Sequence, residues 1–158
     1  MSLREQLQAA MTTAMRSHDE VRRDALRMAI AALYNAEKTA RRPLTDSEDL
    51  GVLVHEMKVR RESLEAFRDG NRPDLAAKEE AATAVLGEFL PAQLDDAELY
   101  ALVAQAIREA GATSPRDLGA VMRLLAPRVK GRADGRVVSE RVARELSAPG
   151  ATRPGQGG

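Results

Sequence analysis

Apolar residues recur along this chain at three- and four-residue intervals, the spacing of one face of an α-helix. Leu3, Leu7, Met11 and Met15 mark the first such face, and Ser2-Leu-Arg-Glu5 ahead of it reads as a capping box. A second box, Ser17-His-Asp-Glu20, opens a longer pattern carrying Val21, Ala25, Met28, Ala29, Ala32, Leu33 and Ala36. Arg41-Arg42-Pro43 ends it, because the residue before a proline avoids the α region. Thr45-Asp-Ser-Glu48 starts a third helix with Leu50, Leu53, Val54, Met57, Leu64 and Phe67 inward, stopping at Gly70. Asn71-Arg-Pro-Asp74 turns into a fourth, with Leu75, Ala82, Val85, Leu86 and Phe89 inward, which Pro91 breaks.

Residues 90–95, Leu-Pro-Ala-Gln-Leu-Asp, read as a joint. Beyond it the periods are shorter. Asp95 with Glu98 starts a helix that carries Leu99, Leu102, Val103, Ala106 and Ile107 and ends at Gly111. Ser114-Pro115 starts another, with Leu118, Val121, Met122 and Leu125 buried and Pro127 closing it. Asp134 caps the last, with Val138, Val142 and Leu146 inward. No strand alternation and no solenoid repeat survives. The pattern predicts an all-α chain: an N-terminal helical domain of about four helices over 1–91, a smaller three-helix C-terminal domain over 95–147, and a disordered Pro-Gly-rich tail over 148–158.

Composition agrees with helices and removes several chemistries. Of 158 residues, 44% are hydrophobic but only 3% aromatic, and Ala, Leu, Glu and Arg dominate. Cysteine is absent, so disulfides, thiolate nucleophiles and Cys-ligated metals are excluded, which fits a reducing, cytoplasmic setting. The start of the chain lacks the apolar core of a secretory signal, and no apolar run is long enough for a membrane span. His18 and His55 are the only histidines and neither sits in a ligand pattern, so no metal is expected. No phosphate loop or nucleophile elbow occurs, so no catalytic residue and no cofactor is expected.

The formal net charge is +0, against a strong non-specific polyanion binder. The balance is uneven, however. From Arg116 to Glu145 the cations are Arg116, Arg123, Arg128, Lys130, Arg132, Arg136, Arg141 and Arg144, against Asp117, Asp134, Glu140 and Glu145. The densest part is the turn holding Arg128, Lys130, Gly131, Arg132, Gly135 and Arg136, which feeds a helix N-terminus. Helix N-termini favour anions, glycines let backbone approach closely, and arginine forks match phosphate oxygens. Two readings stand: an RNA-phosphate site made by those six residues, or a solvated turn whose Asp134 caps a helix. On the third helix, Glu56–Arg60, Lys58–Glu62 and Arg61–Glu65 read as ordinary i,i+4 pairs. Arg22, Arg23 and Arg27 read the same way against Asp19 and Glu20. Aromatics are scarce and Phe67 and Phe89 read as core, so an RNA partner is expected to be a folded one held by backbone and shape.

Several of these segments together resemble the YqeY family: Leu26-Arg-Met28, Asn35-Ala-Glu37, Arg60-Arg-Glu-Ser63, Phe89-Leu-Pro-Ala-Gln-Leu94, Gly111-Ala-Thr-Ser-Pro115 and Val129-Lys-Gly-Arg-Ala-Asp-Gly135. The resemblance runs in order from about Leu3 to Leu146. It implies a two-part helical fold related to the C-terminal region of GatB, a component of the aspartyl/glutamyl-tRNA amidotransferase, whose tail domain is understood to contact tRNA. It also implies a label of carbon–nitrogen ligase activity with glutamine as amido donor, although no counterpart of the catalytic cradle of GatB is present. The expectation is therefore a non-catalytic, tRNA-binding accessory protein. The alternatives are a component of an amidotransferase working with partner subunits, or a protein-interaction module docking through its first helix.

Overall fold

A computed structural model describes residues 1–148; the tail expected to be disordered lies, from Pro149 on, outside the described residues. Among the described residues there are seven α-helices, one 3₁₀ turn and no strand. The helices are α1 (Leu3–Arg16), α2 (Glu20–Ala40), α3 (Asp46–Asp69), α4 (Pro73–Gly87), α5 (Asp96–Ala110), α6 (Leu118–Val129) and α7 (Gly135–Ser147), with the 3₁₀ turn at Pro115–Asp117. No described helix is long and apolar enough to cross a membrane. The chain forms two compact units, Met1–Leu90 and the residues from Pro91 on.

Local chemistry starts most of these helices. Ser2 and Glu5, Thr45 and Glu48, and Asp95 and Glu98 form reciprocal capping boxes that satisfy otherwise orphaned backbone N–H groups. Gly111 closes α5 in the left-handed region at φ 63, where glycine meets no Cβ penalty. Elsewhere the structure departs from the expected boundaries. Ser17 belongs to the end of α1, and its hydroxyl donates to the Ala14 carbonyl. Asp19 caps α2 instead, accepting from the Arg22 N–H at 3.1 Å. The reversal takes only three residues, with His18 in the left-handed region at φ 58, and that moves the start of α2 past Ser17. Helix α4 stops at Gly87, ahead of Pro91. Pro127 does not close α6 but sits inside its last turn, and the helix runs on to Val129.

In the first unit, Leu7, Leu26, Ile30 and Leu33 form one buried cluster, and Ala29, Leu53, Met57 and Leu86 another. Leu3 and Phe89 pack against both. The faces of α1 and α2 are rotated from the sequence expectation: Ala14 is buried while Met15 is exposed, and Leu26 and Ile30 are buried while Val21 and Met28 are exposed. Charged side chains bind these helices together. Arg4 of α1 donates to Glu37 of α2 at 2.8 Å and to Asp49 of α3 at 3.1 Å, and Asp49 is buried. Arg60 of α3 pairs with Glu56 only at 3.9 Å; it reaches Glu79 of α4 at 3.3 Å and the Met28 sulfur of α2 at 3.0 Å. Arg22 likewise reaches past its own helix, to Glu88 at 2.8 Å.

The second unit has one core. Leu99, Val103 and Ile107 of α5, Val121 and Leu125 of α6, and Val138, Val142 and Leu146 of α7 are all buried in it. This places the cation-rich turn between α6 and α7 on a packed support.

Candidate nucleic-acid interface

The turn after α6 is shaped by backbone chemistry. Val129 is buried and anchors the end of α6, and Lys130 leaves the helical region. Gly131 follows at φ 73, a conformation that costs any residue with a Cβ. The Val129 carbonyl accepts from the N–H groups of Arg132 (2.8 Å) and Ala133 (3.1 Å). The turn is then stitched to residues 92–94. The Gln93 side-chain amide donates to the Gly131 carbonyl at 2.7 Å, the Leu94 N–H to the Arg132 carbonyl at 2.8 Å, and the Arg132 Nε to the Ala92 carbonyl at 3.1 Å. Two of the segments that carry the family resemblance thus hold each other in place. Sequence reading could not find this, because the bonded residues lie about forty positions apart.

The structure gives several of the expected phosphate-binding side chains a neighbour of their own. Arg128 pairs with Glu109 of α5, holding that carboxyl below its ordinary range, and the other terminal nitrogen of Arg128 is buried without a hydrogen bond. Arg136 pairs with Glu140 one turn along α7 at 3.3 Å and stays highly exposed. Asp134 caps α7 by accepting from the Arg136 N–H at 2.9 Å, so a carboxylate of the chain itself already sits at that helix start. Gly135 is the first residue of α7, has no positive φ, and has open space around it, so it is not required there as Gly131 is. Lys130 is exposed.

Other cations complete the surface. Arg116 and Arg123 are exposed and make no ion pair with a described carboxylate. The carboxyl of Asp117, beside Arg116, accepts from the Thr113 and Ser114 N–H groups, which lower its pKa, and the charge of Arg116 lowers it further. From Leu118 to Ala133 the chain has no Asp or Glu, while Arg123, Arg128, Lys130 and Arg132 fall in that stretch. Among the described residues no group of three His, Cys, Asp or Glu is placed to hold a metal ion.

An all-α chain that presents an acid-free, arginine-bearing helix followed by a basic turn hydrogen-bonded to residues 92–94 is a small helical protein with a locally cationic segment. The chain belongs to the YqeY family: the model described as Yqey-like protein matches residues 4–146. It is similar to "Altered inheritance of mitochondria protein 41, mitochondrial" of the fungus Pyrenophora tritici-repentis, 33% identical over 90% of this chain and 80% of that protein. It is also similar to an uncharacterized protein of Schizosaccharomyces pombe, 34% identical over 49% of this chain and 63% of that one.

Proposed function

We propose that this protein is a non-catalytic accessory protein that holds structured RNA, tRNA first, by its phosphates. The observation that carries this reading is the acid-free stretch from Leu118 to Ala133. Arg116 stands just before α6, exposed Arg123 at its middle and Lys130 at its end. Arg116 lies in the 3₁₀ turn that leads into α6 and Lys130 is its cap, so the three cations follow one another along the length of the helix. Point charges spaced along a helix and its two ends suit a regular phosphate backbone better than a single bound ion. The six residues of the turn keep a part in this reading, with the emphasis moved. Arg128 and Arg136 are each paired with a carboxylate, Gly131 and Arg132 set the shape, Arg123 faces the polyanion, and exposed Lys130 adds its charge beside it. The choice of tRNA comes from the resemblance to the amidotransferase tail domain. A cysteine-free, cytoplasmic setting is part of the same proposal, although the Pyrenophora relative bears a mitochondrial name.

The test is a titration of labelled tRNA by fluorescence anisotropy at several salt concentrations. Affinity is expected to fall steeply with salt through counterion release. The Arg123→Glu/Lys130→Glu variant is expected to bind at least about tenfold more weakly with a shallower salt slope, its circular dichroism unchanged. Absence of binding by the unaltered protein at about 50 mM salt overturns the proposal.

A further inference from the structure

We infer a second ligand site, at the C-terminal end of α2, that takes a nucleobase together with its phosphate. Tyr34, Asn35, Glu37, Lys38, Arg42 and Pro43 line a cavity of about 480 Å³ there. Tyr34 is 55% exposed, and the Arg4 guanidinium lies 5.6 Å from its ring centroid. One cation is thus already stacked with the ring, and the ring remains open to a second planar partner. Aromatic faces of this kind stack bases irrespective of sequence.

The charges beside the ring sort cleanly. Glu37 is neutralised: one of its oxygens accepts from Arg4 and the other from the Leu44 N–H. Arg42 is held by both oxygens of Glu48. Lys38 and Arg41 are exposed and make no ion pair with a described carboxylate. Arg41 is the left-handed cap of the helix, at φ 56. Tyr34 and Lys38 are four residues apart, hence on one side of the helix end, with Lys38 about 6 Å along the axis from Tyr34. That is the reach from a stacked base to its own phosphate. Asn35 is exposed and its amide has no partner among the described residues. An amide that donates and accepts side by side matches the edge of adenine. Cations in a last helical turn also complement the helix dipole, which accounts for Lys38 but not for the half-exposed ring or the free amide. The site lies in the first unit and stands apart from the α6 proposal.

The ligand has two sources, a free mononucleotide or an unpaired RNA end, and the experiment separates them. Tyr34 ring signals are followed by NMR during titration with AMP, UMP, adenosine, inorganic phosphate and a short unpaired RNA ending in adenosine. AMP or the RNA is expected to shift Tyr34, AMP more tightly than UMP, and adenosine or phosphate alone only weakly. Tyr34→Leu is expected to weaken binding about five- to hundredfold, the range for loss of one base stack. Lys38→Glu/Arg41→Glu is expected to abolish the phosphate contribution, while Arg123→Glu changes nothing. A response to the RNA but not to AMP assigns the site to RNA ends. No shift of Tyr34 by AMP or the RNA at millimolar concentration overturns the inference, as does unchanged affinity in a correctly folded Tyr34→Leu protein.

Discussion

At the scale of single residues, Arg4 carries the largest consequence in the first unit. It joins three helices through Glu37 and Asp49 and covers the Tyr34 ring. Asp49 is only 4% exposed, and its carboxylate depends on that guanidinium. Arg4→Met is expected to cost about 2–3 kcal/mol, below the figure for a fully buried pair because Arg4 itself keeps some contact with water. The urea midpoint measures it. Adding Asp49→Leu is expected to recover part of the loss, since two apolar groups replace an orphaned charge. Neither residue stands out in the sequence. Their partners lie 33 and 45 residues away in the chain, beyond any local pattern. Arg60 was hidden for the opposite reason: a plausible i,i+4 partner at Glu56 masks its bonds to α2 and α4.

At the scale of elements, helix starts were the most legible feature. A capping box is written in adjacent letters, and those at Ser2, Thr45 and Asp95 form as their sequences suggest. The box at Ser17 fails because tertiary geometry needs a tight reversal there, and a cap is defined by backbone conformation as well as side chain. Pro127 fails as a stop because a proline near a helix end loses only one bond, and α6 keeps Val129 in the core. The two glycines of the basic turn look alike in sequence and differ in structure. Gly131→Ala is expected to destabilise by about 1–2 kcal/mol, the cost of a left-handed alanine. Gly135→Ala is expected to be neutral or stabilising by up to about 0.5 kcal/mol, since helix entry there is unstrained. Thermal unfolding of the two single variants separates these outcomes.

For the whole molecule, the all-α class was readable because it is the sum of local patterns. The candidate site was readable only as charge. Which cations face solvent depends on carboxylates such as Glu109, which another helix brings to Arg128. Pairing of this sort also sets the response to acid. Glu48 is held at about 2, first by Arg42 and then by the Thr45 N–H, and Glu37, Glu109 and Asp117 are likewise lowered by bonds made in the fold. A carboxyl whose folded pKa is depressed stabilises fully above its unfolded value and loses that contribution as pH falls toward the folded one. Stability is therefore expected to be level near neutrality and to decline from the ordinary carboxylate range down to about 2, with Glu48→Gln flattening part of the decline. Urea unfolding at pH 7, 4 and 2.5 tests both.

Of the three bonds that stitch residues 92–94 to 131–132, one joins peptide groups and two are donated by the Gln93 amide and the Arg132 guanidinium, so none of the three uses a side chain at 123, 128, 130 or 136. Cations at 123, 128, 130 and 136 can therefore be exchanged without remodelling the loop beneath them. The outline of this corner is thus fixed separately from the charge it displays.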